Sequence, residues 1–186
     1  MELMPLLSLG LLNGWLPFLL LSIVTWGGLV LVPGEVSKRL LDRTDFSKKQ
    51  KTFLMISKSI AIIDIVLISL TPLKLGTLEF QIGVFLLILG LVGLVVAMFD
   101  FKNTPFGKPV TTGLYKLSRH PINVTQAISI LGICIAIGSW IALLFLILSK
   151  IPAHFITIAE EEFCLRKYGD SYREYMKHVP RYIMFF

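Results

Sequence analysis

Four apolar stretches, separated by short polar breaks, make up most of the chain. Residues 6–32 are almost entirely apolar, interrupted near their start by Asn13 and Pro17 and closed by Pro33-Gly34. They predict a first membrane span with an irregular or kinked beginning. A basic loop follows with Lys38, Arg39, Arg43, Lys48, Lys49 and Lys51, and residues 53–70 form the second span, ended by Thr71-Pro72. Lys58 stands near enough to the start of that span to snorkel. Asp64 lies deep within it and is expected to face a cavity or a partner inside the bundle. Residues 78–101 are the third span, and their Gly83, Gly90 and Gly93 fall roughly along one helical stripe, where a second backbone can approach closely.

Residues 102–118 are polar and rich in turn formers, among them Asn103, Pro105, Gly107, Pro109 and Gly113. The next stretch, 122–158, is too long for one span and just long enough for a tight hairpin of two, with Gly138-Ser139-Trp140 as the best turn and Trp140 suited to the membrane interface. From Glu160 the chain is soluble in character, and Tyr168-Gly169-Asp170 separates two short helical pieces. The expected fold is therefore all-α and integral to a membrane: five transmembrane helices, the last two a helical hairpin, with short cytosolic C-terminal helices closing a cofactor pocket. It is a single membrane domain over 1–186, with the first two spans in 1–75 and the site-bearing core in 76–186.

Composition agrees. More than half of the 186 residues are apolar and the mean hydropathy is +0.77, far beyond the balance usual in soluble domains. The first stretch has no basic region before it and no small-x-small cleavage site after it, so it reads as a retained span. Cys134 and Cys164 have no pairing or metal-ligand spacing. A net charge of +6 is compatible with nucleic acid, but in so apolar a chain the positions of the charges carry more meaning than their sum. With five spans and the amino terminus outside, 17 of the 18 Lys and Arg residues share one side and Lys74 alone is opposite. Positive-inside bias makes the crowded side cytoplasmic.

That side holds the candidate chemistry. The segment 111–121 carries Arg119-His120-Pro121 where the fourth span begins, and Glu160-Glu161-Glu162 stands where the apolar region stops. Each has a simple structural explanation: Pro in a first helical turn with basic residues flanking a span, and acids on a solvated amphipathic helix. Together they say more, because three adjacent acids beside a membrane surface are unfavourable unless an Arg or a cationic ligand pairs with them. The two polar ends are read as facing each other and closing a site for a nucleotide-like cofactor.

The run N-T-P-F-G-K-P-V-T-T-G-L-Y-K-L-S-R-H-P from Asn103, followed by E-E-E-F-C-L-R-K-Y-G-D-S-Y-R-E-Y and V-P-R-Y-I, resembles the isoprenylcysteine carboxyl methyltransferase family and the wider group that includes phospholipid methyltransferases. The resemblance covers the C-terminal half, from the third span onward. It implies S-adenosylmethionine as cofactor, S-adenosylhomocysteine as product, binding at the cytosolic side, and a lipid-linked small-molecule acceptor entering from the bilayer, most simply an isoprenylcysteine-like carboxylate methylated to its ester. Gly113, Leu114, Tyr115, Arg119, His120 and Pro121 match its glycine-tyrosine and Arg-His-Pro elements, and the acids match its paired glutamates. Asn123 departs from it, standing where the family usually has Tyr. Aligned on Tyr168-Gly169 the pair is Glu160 and Glu161; aligned on Leu165 it is Glu161 and Glu162.

S-Adenosylmethionine carries ribose hydroxyls, an ammonium, a sulfonium and a carboxylate, so its pocket needs acidic acceptors and basic donors. Glu161 and its neighbour suit the first role, His120 and Tyr115 the second, and Arg119 suits bidentate pairing with an acceptor carboxylate. Arg119 and Glu161 are thus the expected catalytic pair. His154, on the helical face before the acids, is a cofactor contact or a satisfied polar group rather than a metal ligand, since no compact ligand motif surrounds it. Arg181 reads equally as an interfacial cation or a cofactor contact, and His178 is placed to fold back over the pocket. An NADPH-dependent sterol or lipid reductase on a similar scaffold and a small transporter are the competing readings. No nucleic-acid partner is expected, the oligomeric state is not specified, and so short a chain without a cytosolic extension suggests a prokaryotic cell membrane.

Overall fold

The structure of the chain is a computed structural model that describes residues 1–31, 33, 34, 36, 38, 43, 44, 46–105 and 107–183. Among these residues there are six α-helices and no β-strand: α1 (Trp15–Leu31), α2 (Lys48–Leu70), α3 (Leu78–Lys102), α4 (Pro121–Ala136), α5 (Trp140–Tyr168) and α6 (Asp170–His178), with one 3₁₀ turn at Gly113–Lys116. Helices α2, α3 and α5 are long and apolar enough to cross a membrane, while α1 and α4, equally apolar, have 17 and 16 residues. The predicted end of the first span at Val32 and Arg39 of the basic loop lie outside the described residues.

The first predicted span begins later than hydropathy suggests. Residues before Trp15 are not helical; they form a strap across one end of the bundle, donating from Ser8 N to the Leu70 carbonyl at 2.8 Å and from Gly14 N to the Thr71 carbonyl at 2.9 Å. Asn13 explains the delay. Its side chain is 2% exposed and donates from Nδ2 to the carbonyls of Ser8 at 2.6 Å and Ser69 at 3.3 Å. A buried amide in an apolar stretch has to find partners, and the free carbonyls at the end of α2 supply one.

Helix α2 starts earlier than hydropathy suggests, because Ser47 and Gln50 form a reciprocal capping box ahead of the apolar run. Helix α3 matches its predicted span, and its glycines have the packing role expected of them. A methyl group on Gly83 would stand 2.5 Å from the Gly132 carbonyl of α4, and one on Gly90 would stand 2.2 Å from Ser129 Oγ. Gly83, Gly90 and Gly93 thus form the seam on which α4 lies.

The predicted hairpin is present. Gly138 adopts φ +65° between α4 and α5, a conformation that a side chain resists, and Ser139 caps α5 by accepting from Ala142 N at 3.3 Å. Where two short helical pieces are expected after residue 159, the first proves to be the uninterrupted continuation of α5. Nothing between Ala159 and Tyr168 disfavours a helix, so it stops only at Gly169. The acids therefore ride on the same rigid rod that carries the last apolar run. Ser57 Oγ braces that rod from α2 by donating to the Ser149 carbonyl at 3.1 Å, one turn before the buried Pro152. Leu94, Ile133, Cys134, Ile137 and Ala142 fill the core where α3, α4 and α5 meet.

Candidate functional site

At the end of the bundle opposite the amino-terminal strap, the connection between α3 and α4 meets the C-terminal tail. Asp100, in the last turn of α3, starts this arrangement: its Oδ2 accepts from Leu114 N at 2.9 Å and anchors the 3₁₀ turn. Gly113, at φ +57°, lies so close to that carboxylate that an added methyl group would stand 2.0 Å from Oδ2. Replacing Gly113 with Ala is expected to cost about 1–3 kcal/mol of stability through the left-handed backbone alone. The clash with Asp100 adds to this, and a lowered unfolding midpoint in a thermal-shift assay is the check.

The tail is clasped to this connection almost residue by residue. Tyr175 Oη donates to the Tyr115 carbonyl at 2.6 Å, Ser118 Oγ to the Arg181 carbonyl at 2.9 Å and Arg119 N to the Pro180 carbonyl at 2.9 Å. The Arg119 side chain completes the clasp, with Nη1 donating to the Met176 and Val179 carbonyls at 3.0 Å each. These carbonyls lie at the end of α6, where helix geometry leaves acceptors without partners.

Behind the clasp sits a buried ion cluster. Glu161, with a side chain only 3% exposed, accepts from Arg119 Nε at 2.9 Å, from Arg181 Nη2 at 2.8 Å and from Arg181 Nε at 3.1 Å, and lies 3.3 Å from His120 Nε2. Burial alone would raise the carboxyl's pKa. Hydrogen bonds from His120 and Arg181 and the charges of His120 and Arg119 outweigh it, holding Glu161 at about 2. Its neighbour Glu160 pairs with Arg43 at 2.8 Å and faces His120 Nδ1 at 3.6 Å. Successive residues on a helix turn by about 100°, so Glu162 is carried round to solvent. Glu160 and Glu161 are the two acids on the site side.

In front of the cluster opens a cavity of about 370 Å³, within the range of small-molecule and cofactor sites. Its lining includes the polar side chains of Arg43, Arg119, His120, Glu160, Tyr168 and Tyr172 and the apolar ones of Trp26 and Leu29 of α1, Leu94 and Met98 of α3 and Ile122 of α4. Asn123 and Gln126 of α4 line the same space.

Of the residues expected from sequence, Tyr115, Arg119, His120 and Glu160 line this cavity. Glu161 and Arg181 stand in the ion cluster behind it, so Arg119 is bound directly to Glu161 rather than set across a gap from it. Gly113 and Leu114 shape the turn beneath, and Pro121 is the first residue of α4. His154 lies apart with Nδ1 3.3 Å from Tyr182 Oη, and His178 is exposed beside Glu174. Asp100, Arg43, Gln126 and Tyr172 escaped the sequence reading. Asp100 alone carried a signal, as a lone acid at a helix end before a glycine-bearing turn.

An all-helical bundle with membrane-length helices and a charged cavity at one end is the frame of an integral membrane enzyme. A family model described as phospholipid methyltransferase matches residues 75–171, just over half of the chain, and the chain belongs to that family. It is thus an integral membrane methyltransferase, and such enzymes generally use S-adenosylmethionine. No curated protein and no solved structure matches it.

Proposed function

We propose that the protein transfers a methyl group from S-adenosylmethionine to the carboxylate of a lipid-linked acceptor, an isoprenylcysteine-like molecule being the simplest. In this reading the chain crosses the membrane five times with its amino terminus outside, and the cavity opens at the cytoplasmic face. The donor set fits the cofactor. Glu160 offers an acceptor for the ammonium or the ribose hydroxyls, His120 and Arg43 offer donors for the carboxylate, and Tyr168 and Tyr172 offer aromatic faces for adenine or the sulfonium. When bound, S-adenosylmethionine would supply a sulfonium methyl group that a nucleophile can take without any proton moving.

One observation carries the choice of acceptor. Glu161, in the ion cluster behind the cavity wall, is held ionised at about 2 by its cationic partners, which makes it a poor base for removing a proton from an ammonium of pKa about 10. A carboxylate acceptor needs no such base. The chain's part is then to position the two reactants and exclude water, with Trp26, Leu29, Leu94 and Met98 sheltering the lipid side. A phospholipid amine is the second reading, favoured by the family description. The family match also weighs for methyl transfer over NADPH-dependent reduction or transport.

Titration of the purified protein in nanodiscs with S-adenosylmethionine, S-adenosylhomocysteine and NADPH is expected to show heat of binding for the first two alone. With labelled donor and a panel of prenylcysteine, fatty-acid, thiol and phospholipid acceptors, label should appear as a base-labile methyl ester. The rate should level off above about pH 5, where a carboxylate is already ionised. A rate still climbing toward pH 9 would point to the amine, and no binding of either sulfur nucleotide would end the proposal.

A further inference from the structure

The two guanidinium groups of the cavity wall each already hold a carboxylate. Arg119 is taken up by Glu161 and two backbone carbonyls, and Arg43 by Glu160. Arg119, the residue that sequence reasoning assigns to the acceptor's carboxylate, therefore has its Nε and Nη1 occupied.

Helix α4 shows a division of labour among its polar side chains. Thr125 and Ser129, on the face against α3, spend their hydroxyls on the helix itself: Thr125 Oγ1 donates to the Pro121 carbonyl at 2.9 Å, and Ser129 Oγ to the Thr125 carbonyl at 3.0 Å. Asn123 and Gln126 lie three residues apart, hence on one face, and that face is cavity wall. Neither amide makes a hydrogen bond within the protein among the described residues. Gln126 is half-buried and Asn123 is exposed, so both amides are open to a ligand in the cavity.

We propose that Asn123 and Gln126 form the headgroup subsite of the methyl acceptor and set its specificity, their amide N–H groups donating to the acceptor's carboxylate oxygens. This rests on the methyltransferase reading and deepens it. The two amides line the same cavity as the charged side chains Arg43, His120 and Glu160 and the apolar side chains Leu94, Met98 and Ile122, so an acceptor with a lipid chain and a polar head can meet all three kinds of group there. Neutral donors also suit the chemistry. They orient an anionic nucleophile without cancelling its charge, whereas a guanidinium pairing bidentately would quench it.

The test compares the full-length wild type with Gln126→Ala, the double change Asn123→Ala/Gln126→Ala, and Gln126→Glu, in nanodiscs. Donor affinity is measured by calorimetry, and acceptor affinity by equilibrium binding of labelled N-acetyl-S-farnesylcysteine and palmitate. The alanine variants should keep the thermal midpoint and bind S-adenosylhomocysteine within about twofold of wild type while losing about 10- to 100-fold in carboxylate-acceptor affinity, the range expected for hydrogen bonds to a charged group. Gln126→Glu should abolish carboxylate binding by like-charge repulsion. Unchanged acceptor affinity in the double variant would overturn the assignment, as would wild type binding neither probe, or Gln126→Glu binding them as well as wild type. Loss of donor binding in the wild type would instead overturn the methyltransferase reading beneath it.

Discussion

Replacing Glu161 with Gln is expected to reduce methyl transfer by at least about 100-fold and to lower the unfolding midpoint substantially. The change is nearly isosteric, so the effect comes from charge. In the wild type one buried carboxylate holds Arg119 at 2.9 Å and Arg181 at 2.8 Å and sits 3.3 Å from His120. With the charge gone, Arg119 remains buried with a guanidinium matched only by carbonyl dipoles. Removing one partner of a buried pair typically costs about 3–5 kcal/mol, because the other charge is left uncompensated. Arg119 also carries the Met176 and Val179 carbonyls, so its displacement would release α6 and open the cavity wall. A misplacement of about 1 Å can cost about 100-fold in rate, which makes catalysis the more sensitive readout.

The same residue sets a pH dependence. Glu161 titrates at about 2 in the folded protein against 4.5 ordinarily. A group whose pKa is depressed by folding contributes stability that is complete above its unfolded pKa and is lost as pH falls through the folded one. Wild-type stability should therefore decline between about pH 4.5 and pH 2, and the Gln variant should lack that component of the decline. Chemical denaturation of both proteins at a series of pH values checks this.

Replacing Gly90 with Leu should prevent assembly of the bundle. A single added methyl group would stand 2.2 Å from Ser129 Oγ and 2.7 Å from both Ser129 N and the Thr125 carbonyl. Two of those three atoms are backbone of α4, so no rotamer change relieves the contact, and α4 would have to move bodily away from α3. That movement would carry Pro121, His120 and Asn123 with it, because all three stand at the start of α4. The expected result is aggregation or loss of a monodisperse peak in detergent chromatography. A methyl group on Gly27 would meet nothing within 4 Å among the described residues, and its replacement by Ala should leave the elution profile unchanged.

Much of the fold was legible because it is built from local signals. A run of apolar residues long enough for a membrane, a Ser or Thr before it and a Gly after it act on their own neighbourhood, and α3 and the α4–α5 hairpin came out nearly as written. The errors have equally local causes. Asn13, which marked an irregular beginning in the sequence, holds the start of α1 back to Trp15, whereas hydropathy passed over the Ser47 and Gln50 cap, which carries α2 into a basic stretch. The acids looked like the start of something new after the last span, yet they continue α5, since helix propensity does not register the change from apolar to charged.

The site divides along the same line. Composition, hydropathy and the two charged ends determine a helical membrane protein with its chemistry gathered on one side, because these follow from how each segment meets lipid or water. Which acid faces the cavity, which cation it pairs with and which polar groups remain for a ligand are decided by packing. Arg119 and Glu161 are 42 residues apart in the chain and 2.9 Å apart in space. The carboxylate that holds Arg119 in the wall arrives only when the hairpin brings α5 back and the tail folds over it, while Asn123 and Gln126 are left lining the cavity.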